Sequence, residues 1–290
     1  MYDLHTFCRL YNTTPEIVHS SDLFTFRYLC YRSIPILRNV KLPKPVLNSE
    51  KESVLIEFRP MPHIEFLLRN TMYQLGEGWS HTIVCGKGNY QMIQSICDFV
   101  SEDIRIIALD YENIDINIYN NLCYDPFFWR ALRGEKILLY QEDSILFNQS
   151  INDFLQYDYI GAPWKLNVSS KYRVGNGGLS LRSKSVILSV LDENRILNTF
   201  EDIKRRRKFP RYDRIPEDLF FAKEIQDKGG KIPTVSVASL FSTENIVNKH
   251  SLGGHQFWLF DPSWRSRMEK LIVNYETMMI LNSWLPSSPP

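Results

Sequence analysis

The sequence predicts an α/β fold, and three observations carry the prediction. Short, nearly continuous apolar runs fall at residues 54–58 (VLIEF), 81–86 (HTIVCG), 104–109 (IRIIAL) and 137–140 (ILLY), the pattern of strands buried on both faces. Between the first three lie segments with apolar residues at helical spacing. The resulting order, strand, helix, strand, helix, strand, is the signature of a parallel sheet covered by helices, a Rossmann-like α/β half.

Taken in order, residues 1–50 read as an N-terminal extension packed on the main domain. Residues 22–37 within it are aromatic-rich and suit a helix, and Pro43 and Pro45 mark a connector. In the segment 63–75, Ile64, Leu67, Leu68, Met72 and Leu75 form one helical face, closed by Gly76 and Gly78. Residues 90–100 read as a second helix. Residues 117–133 read as helical with a break near Asp125-Pro126, their cluster Phe127, Phe128 and Trp129 assigned to the core. The fourth strand, 137–140, runs into Gln141-Glu142-Asp143-Ser144. Residues 157–164 (YDYIGAPW) suggest a short strand and a Pro turn, and apolar LSL at 179–181 leads into a helix over 185–193. Residues 201–214 form a charged loop or helix end whose basic run, 204–208, reads as solvated or as facing an anion. Residues 216–230 carry Pro at the start, acids in the first turn and Gly at the end, as a helix does. Residues 234–240 read as a late strand and 249–260 as a loop with two histidines. Residues 51–260 thus make the main domain, and 261–290 an amphipathic C-terminal helix and tail.

The totals narrow the function. A chain of 290 residues, 44% hydrophobic, builds a substantial core and is not disordered. A net charge of +1 gives no argument for a nucleic-acid surface. Five scattered cysteines without a CxxC pair indicate neither zinc nor redox chemistry and suit a reducing compartment. The start MYDLHTFCRLYN lacks the pattern of a secretory signal, and no apolar stretch approaches the roughly 20 residues that span a bilayer. The expectation is a soluble, cytoplasmic protein.

Four places have residue types that do chemistry. Asp143 follows a buried strand, where α/β sheets bind ligands and where a metal bridging phosphates takes one or two carboxylates. A cap or a salt bridge would explain it equally. Gly175-Asn176-Gly177-Gly178 permits close backbone approach to a ligand, or is an ordinary tight turn. It is neither a dinucleotide fingerprint nor a P-loop. Glu217 and Asp218 open a helix, where the dipole favours the ionised form. Capping accounts for at least one, and the other is placed to take a proton from a sugar hydroxyl. His250 and His255 lie in the late loop. His255 is the better ligand candidate because it sits in a Gly-Gly-His-x-x-Trp turn.

In combination, FFWRALRGEKILLYQEDSILF, YDYIGAPW, VGNGGLSLRS, PEDLFF and GGHQFW resemble the DUF5672 family of glycosyltransferase-like proteins within the GT-A superfamily, over about two hundred residues from Ser53 to Phe260. The resemblance implies a GT-A-type mixed sheet and a hexosyl- or N-acetylhexosaminyl-transferase using a UDP-sugar, a glycan or glycoconjugate acceptor and Mn²⁺ or Mg²⁺. Gln141-Glu142-Asp143 stands where GT-A enzymes carry Asp-x-Asp, with Gln141 replacing the first acid. Asp143 and His255 then match the metal ligands. Glu57, Arg59, Gln141, Glu142, Asn176, Gly177 and Gly178 fall at donor positions. Glu217-Asp218 matches the acidic pair of inverting enzymes, with Asp218 as base. A nucleotidyltransferase would instead need a Gly-rich basic loop after the first strand, which Arg59-Pro60-Met61-Pro62 is not. Gln141 also leaves open a degenerate domain that binds a sugar nucleotide or acts as a scaffold.

Overall fold

The computed structural model describes residues 2–165, 172–206 and 215–284, without side chains at 200, 202–206 and 282–284. Four helices come first: α1 (Leu4–Leu10), α2 (Pro15–Ser20), α3 (Asp22–Arg32) and α4 (Ile34–Arg38). The alternating part follows as β1 (Lys51–Ile56), α5 (Ile64–Leu75), β2 (Ser80–Cys85), α6 (Tyr90–Val100) and β3 (Arg105–Ala108). Next come α7 (Ile116–Tyr124), α8 (Pro126–Ala131), β4 (Lys136–Tyr140), β5 (Ser144–Leu146), β6 (Tyr159–Gly161) and β7 (Leu179–Ser183). The chain continues through α9 (Lys184–Val190), α10 (Glu193–Arg206), α11 (Glu217–Asp227), α12 (Val235–Phe241), β8 (Ser242–Thr243), β9 (Gly253–His255) and α13 (Trp264–Trp284).

Among the described residues, six strands form one sheet in the order β3-β2-β1-β4-β7-β6. β3, β2, β1 and β4 run parallel, and β7 turns back antiparallel to both β4 and β6. The fold is therefore the predicted mixed α/β sheet flanked by helices. Alternation along each strand divides the core: Leu55, Leu138 and Tyr140 join α5 and α6 on one face, while Val54, Ile56, Ile137 and Leu139 join α7, α8 and α11 on the other. A third cluster holds the N-terminal helices: Phe7, Phe26 and Leu37 pack with Phe66 of α5, with Phe257 and Trp258, and with Trp264 and Tyr275 of α13. A smaller sheet, β5-β9-β8, pairs Ser144 with His255.

Local signals behave as the sequence suggests at most boundaries. Gly76 ends α5 at φ +72°, a conformation glycine reaches without a Cβ penalty. Asp125 caps α8 by accepting from the Phe127 amide at 2.8 Å, with Pro126 in the first turn. Three expectations are corrected. Residues 234–240 are not a strand but helix α12, capped by Thr234, with Ala238 and Phe241 buried one turn apart; helical spacing of the buried residues overrides the strand preference of Val235 and Val237. Phe127 is 74% exposed and does not share the core with Phe128 and Trp129, because three consecutive helical residues cannot face one side. The loop over 249–260 contains strand β9. Residues 207–214 and 285–290 lie outside the described residues, so the charged loop, the basic run's side chains and the tail are not placed. No helix among the described residues is long and apolar enough to cross a membrane.

Candidate active site

The sheet order places the site. β1 leads outward to β2 and β3, whereas β4 lies on the other side of β1. Crossovers diverge between β1 and β4, and a crevice opens beyond the carboxyl ends of parallel strands at such a switch point. A cleft of about 300 Å³ lies there, lined by Glu57, Arg59, Tyr119, Gln141, Glu142 and Asp143 among others. Arg59 closes a turn on Glu57, donating from Nε at 2.8 Å and from Nη2 at 2.7 Å. The hydrogen bonds to Glu57 hold its guanidinium above its ordinary pKa, and the side chain stays 43% exposed, able to meet an anion.

Glu142 and Asp143 face different ways. The Glu142 carboxylate is buried and meets Arg27, Arg59 at 3.2 Å and His63 Nε2 at 3.1 Å. Burial works to raise its pKa, but hydrogen bonds from His63 and Arg27 outweigh it, and the group stays ionised far below the usual carboxylate range. Its oxygens are thus engaged by the protein, whatever the adjoining cleft binds. Asp143 turns toward β9. Gln256 donates to its carbonyl at 3.0 Å and, through Nε2, to Oδ2 at 2.7 Å. Oδ1 lies 3.3 Å from His255 Nε2, and neither buried atom has a hydrogen-bond partner. His255 Nδ1 is 3.6 Å from Glu244. Burial opposes both charges, yet the mutual attraction prevails: the Asp143 carboxyl lies below its ordinary value and the His255 imidazole above. Gln256 holds φ +44°, strained for a residue with a Cβ, and thereby turns the chain so that His255 and Gln256 both reach Asp143.

The glycines sit between this pair and the second acidic pair. A Cβ on Gly178 would fall 2.3 Å from the His255 ring, and one on Gly177 would fall 2.3 Å from Glu217 Oε1 and 3.3 Å from the Asp218 Cβ. The close approach foreseen here is therefore to protein groups on both sides. The Gly178 carbonyl accepts from the Gln141 amide at 3.1 Å and the Ser144 hydroxyl at 2.7 Å, and Asn176 accepts from the Gly178 amide at 3.0 Å. Glu217 is buried in a two-point ion pair with Arg182, at 2.7 and 3.0 Å, and its amide donates to Asn120. Arg182 is fully buried against the rings of Tyr159, Phe221 and Trp129. Asp218 remains partly exposed, accepting from the Leu219 amide at 2.7 Å and the Gly177 amide at 3.3 Å. Dense packing behind it pushes its carboxyl up to about 7, the neighbouring Glu217 charge adds to this, and the two amides recover only part.

Every sequence-predicted site residue thus lies at this end of the sheet or against the glycine segment. The other histidine of the late loop, His250, donates from its amide to Asn248 Oδ1 at 3.0 Å, and among the described residues no hydrogen bond or ion pair links it to Asp143. Sequence reasoning missed Arg27, His63, Arg182, Glu244 and Gln256. Arg182 alone left a signal, a lone cation inside the apolar strand LSLRS that must find a buried partner.

The chain belongs to the family described as protein of unknown function DUF5672, which it matches over residues 103–255. No curated protein matches it. Among solved structures it is similar to the apo-form glycosyltransferase GlyE of Streptococcus pneumoniae TIGR4, at 11% identity and TM-score 0.50, over 81% of this chain and 62% of that one. A second GlyE structure is similar at 10% identity and TM-score 0.46, over 82% and 63%. HddC from Yersinia pseudotuberculosis is similar at 13% identity and TM-score 0.35, over 48% and 79%. At 11% identity the first likeness speaks for the fold alone, and this chain spans less than two thirds of GlyE.

Proposed function

We propose that the chain is a metal-dependent glycosyltransferase that moves a sugar from a UDP-sugar to a hydroxyl of a glycan or glycoconjugate, with inversion. The observation that carries the reading is the glycine segment 177–178, flanked on one side by His255, which faces Asp143, and on the other by Asp218. The fold likeness to a glycosyltransferase supports it.

Asp143 Oδ1 and His255 Nε2 suit a divalent ion: both are buried, converge at 3.3 Å and lack other partners. Among the described residues no group of three or more His, Cys, Asp or Glu side chains is placed to hold a metal, so the remaining ligands would be diphosphate oxygens and water, the usual arrangement for Mg²⁺. When bound, Mn²⁺ or Mg²⁺ supplies positive charge to a leaving diphosphate. The chain's own part is positional. The cleft holds the nucleotide, with Arg59 facing its anionic end. Asp218 takes the proton of the acceptor hydroxyl while that oxygen bonds to the anomeric carbon and the bond to the diphosphate breaks. A carboxylate with a pKa of about 7 is a stronger base than an ordinary one and is about half ionised at neutral pH. Glu217 holds this base in place through Arg182 and does not itself meet the proton.

Gln141, in place of the first acid, favours a second reading, a domain that binds a sugar nucleotide without turning it over. A UDP-release assay over a panel of nucleotide sugars and acceptors, with Mn²⁺, Mg²⁺ or EDTA, separates the two. The transferase releases UDP from one donor, needs metal, and loses activity in Asp143→Ala and Asp218→Ala. Metal-dependent UDP binding by calorimetry without turnover on any acceptor would establish the binder. No UDP binding with any metal would sink both.

A further inference from the structure

We propose that Arg27 is a positioning residue for the acidic turn, which makes the N-terminal helices a working part of the site. Arg27 lies on α3, buried, and reaches 115 positions along the chain to Glu142, donating from Nε at 3.0 Å and also from Nη2. A second arm comes from Tyr11, which caps the end of α1. The Tyr11 hydroxyl is 2.5 Å from His63 Nδ1 and accepts from the His63 amide at 3.0 Å. With its hydrogen on Nε2, the His63 ring then faces both the Glu142 carbonyl, at 3.0 Å, and its carboxylate. Glu142 is gripped by side chain and backbone, directly by Arg27 of α3 and through His63, whose ring Tyr11 orients.

The next residue is Asp143, whose carbonyl and Oδ2 are tied to Gln256. The peptide joining Glu142 to Asp143 is therefore fixed from both ends, and with it the direction of Asp143 Oδ1 toward His255. The N-terminal helices do not need Arg27 in order to dock, because Phe7, Phe26 and Leu37 already share an apolar cluster with α5 and α13. A buried ion pair adds little to stability over an apolar substitute. What it adds is geometry, and displacements of about 1 Å in a catalytic group cost on the order of a hundredfold in rate. The inference rests on the reading of Asp143 and His255 as the metal-holding pair.

The test compares Arg27→Ala and Arg27→Lys with Arg38→Ala. Arg38 joins α4 to Glu65 of α5 at 2.8 and 2.6 Å, far along the chain from the acidic turn, and serves as the control for a purely structural ion pair. Amide hydrogen exchange is followed in the metal-free full chain at Gln141, Ser144 and Gln256, whose amides bond to Gly178, Gln141 and Asp143. Arg27→Ala is expected to speed exchange at these amides about tenfold or more while the β2 and β3 amides keep their protection, with Arg27→Lys between and Arg38→Ala unchanged. Mn²⁺ affinity by calorimetry falls in the same order, and at saturating Mn²⁺ kcat falls with donor KM unchanged, because Arg27 does not line the cleft. Exchange in Arg27→Ala no faster than in Arg38→Ala overturns the inference. Should Arg27→Ala fail to fold, wild-type exchange in Arg27→Lys overturns it equally. A wild-type chain that binds no Mn²⁺ removes the metal reading, and the exchange comparison still decides the clamp.

Discussion

Glu142–Asp143 and Glu217–Asp218 run in the same order along the chain. In each, the glutamate is buried against an arginine from a distant segment, Arg27 for one and Arg182 for the other, and the aspartate lies near the glycine segment, Asp143 through His255 and Asp218 through the Gly177 amide. The difference lies in what each aspartate meets. Asp143 faces His255, whose positive charge keeps its carboxyl low. Asp218 faces two backbone amides, with the Glu217 charge beside it, and its carboxyl rises to about 7. On the proposed reading, one residue holds a cation and the other moves a proton. A clamped glutamate fixes the position of its neighbour, and the neighbour's own surroundings then set its chemistry.

The comparison breaks most sharply at the proton-transfer half. Asp218→Asn keeps the shape and removes the base, so kcat should fall by about 10² to 10⁴ while UDP binding by calorimetry stays near wild type. A smaller loss would mean that Asp218 is only a cap. Arg182→Met breaks the clamp on the same side. It strands the Glu217 charge in a buried site and should cost roughly 3–5 kcal/mol by denaturant unfolding, a loss that Arg182→Met/Glu217→Leu should partly restore. Gly178→Ala tests the wall between the two halves. Its Cβ would meet the His255 ring at 2.3 Å, so overpacking should cost about 1–3 kcal/mol and weaken Mn²⁺ binding more than UDP binding. A fourth effect is on stability against pH. Asp218 binds its proton more tightly folded than unfolded, so its contribution is fully present below its ordinary value of 3.8 and is lost as pH rises through about 7. Asp218→Asn should therefore gain on the wild type across that interval, read as a relative rise in melting temperature.

Much of this was legible in the chain. The strands β1, β2 and β4 declared themselves as apolar runs because both faces of the sheet are covered there, β3 did so although it lies at the half-buried edge, and the switch point follows from their order. Asp143, His255 and Asp218 were drawn together by the family resemblance, since an acid after a strand, a histidine in a loop and an acidic pair opening a helix each have an ordinary structural explanation. What could not be read was partnership. Nothing near Glu142 announces Arg27 or His63, since their meeting depends on how the N-terminal helices dock. Without that contact, Glu142 reads as a ligand-binding acid, when its charge is already answered. The partner of Glu217 was hidden in the same way, its carboxylate being paired with Arg182. Gln256 was invisible because its left-handed backbone is imposed by the turn around it. Val235 and Val237 misled because β-branched residues favour strands only where a sheet edge is there to receive them.

The division of labour between the two aspartates is tested most directly by a ¹³C NMR titration of their carboxyl groups in the metal-free chain, assigned with Asp143→Asn and Asp218→Asn. The account predicts that Asp218 titrates near 7 and that Asp143 stays ionised below its ordinary value of 3.8. Two aspartates titrating together in the ordinary carboxylate range would contradict it.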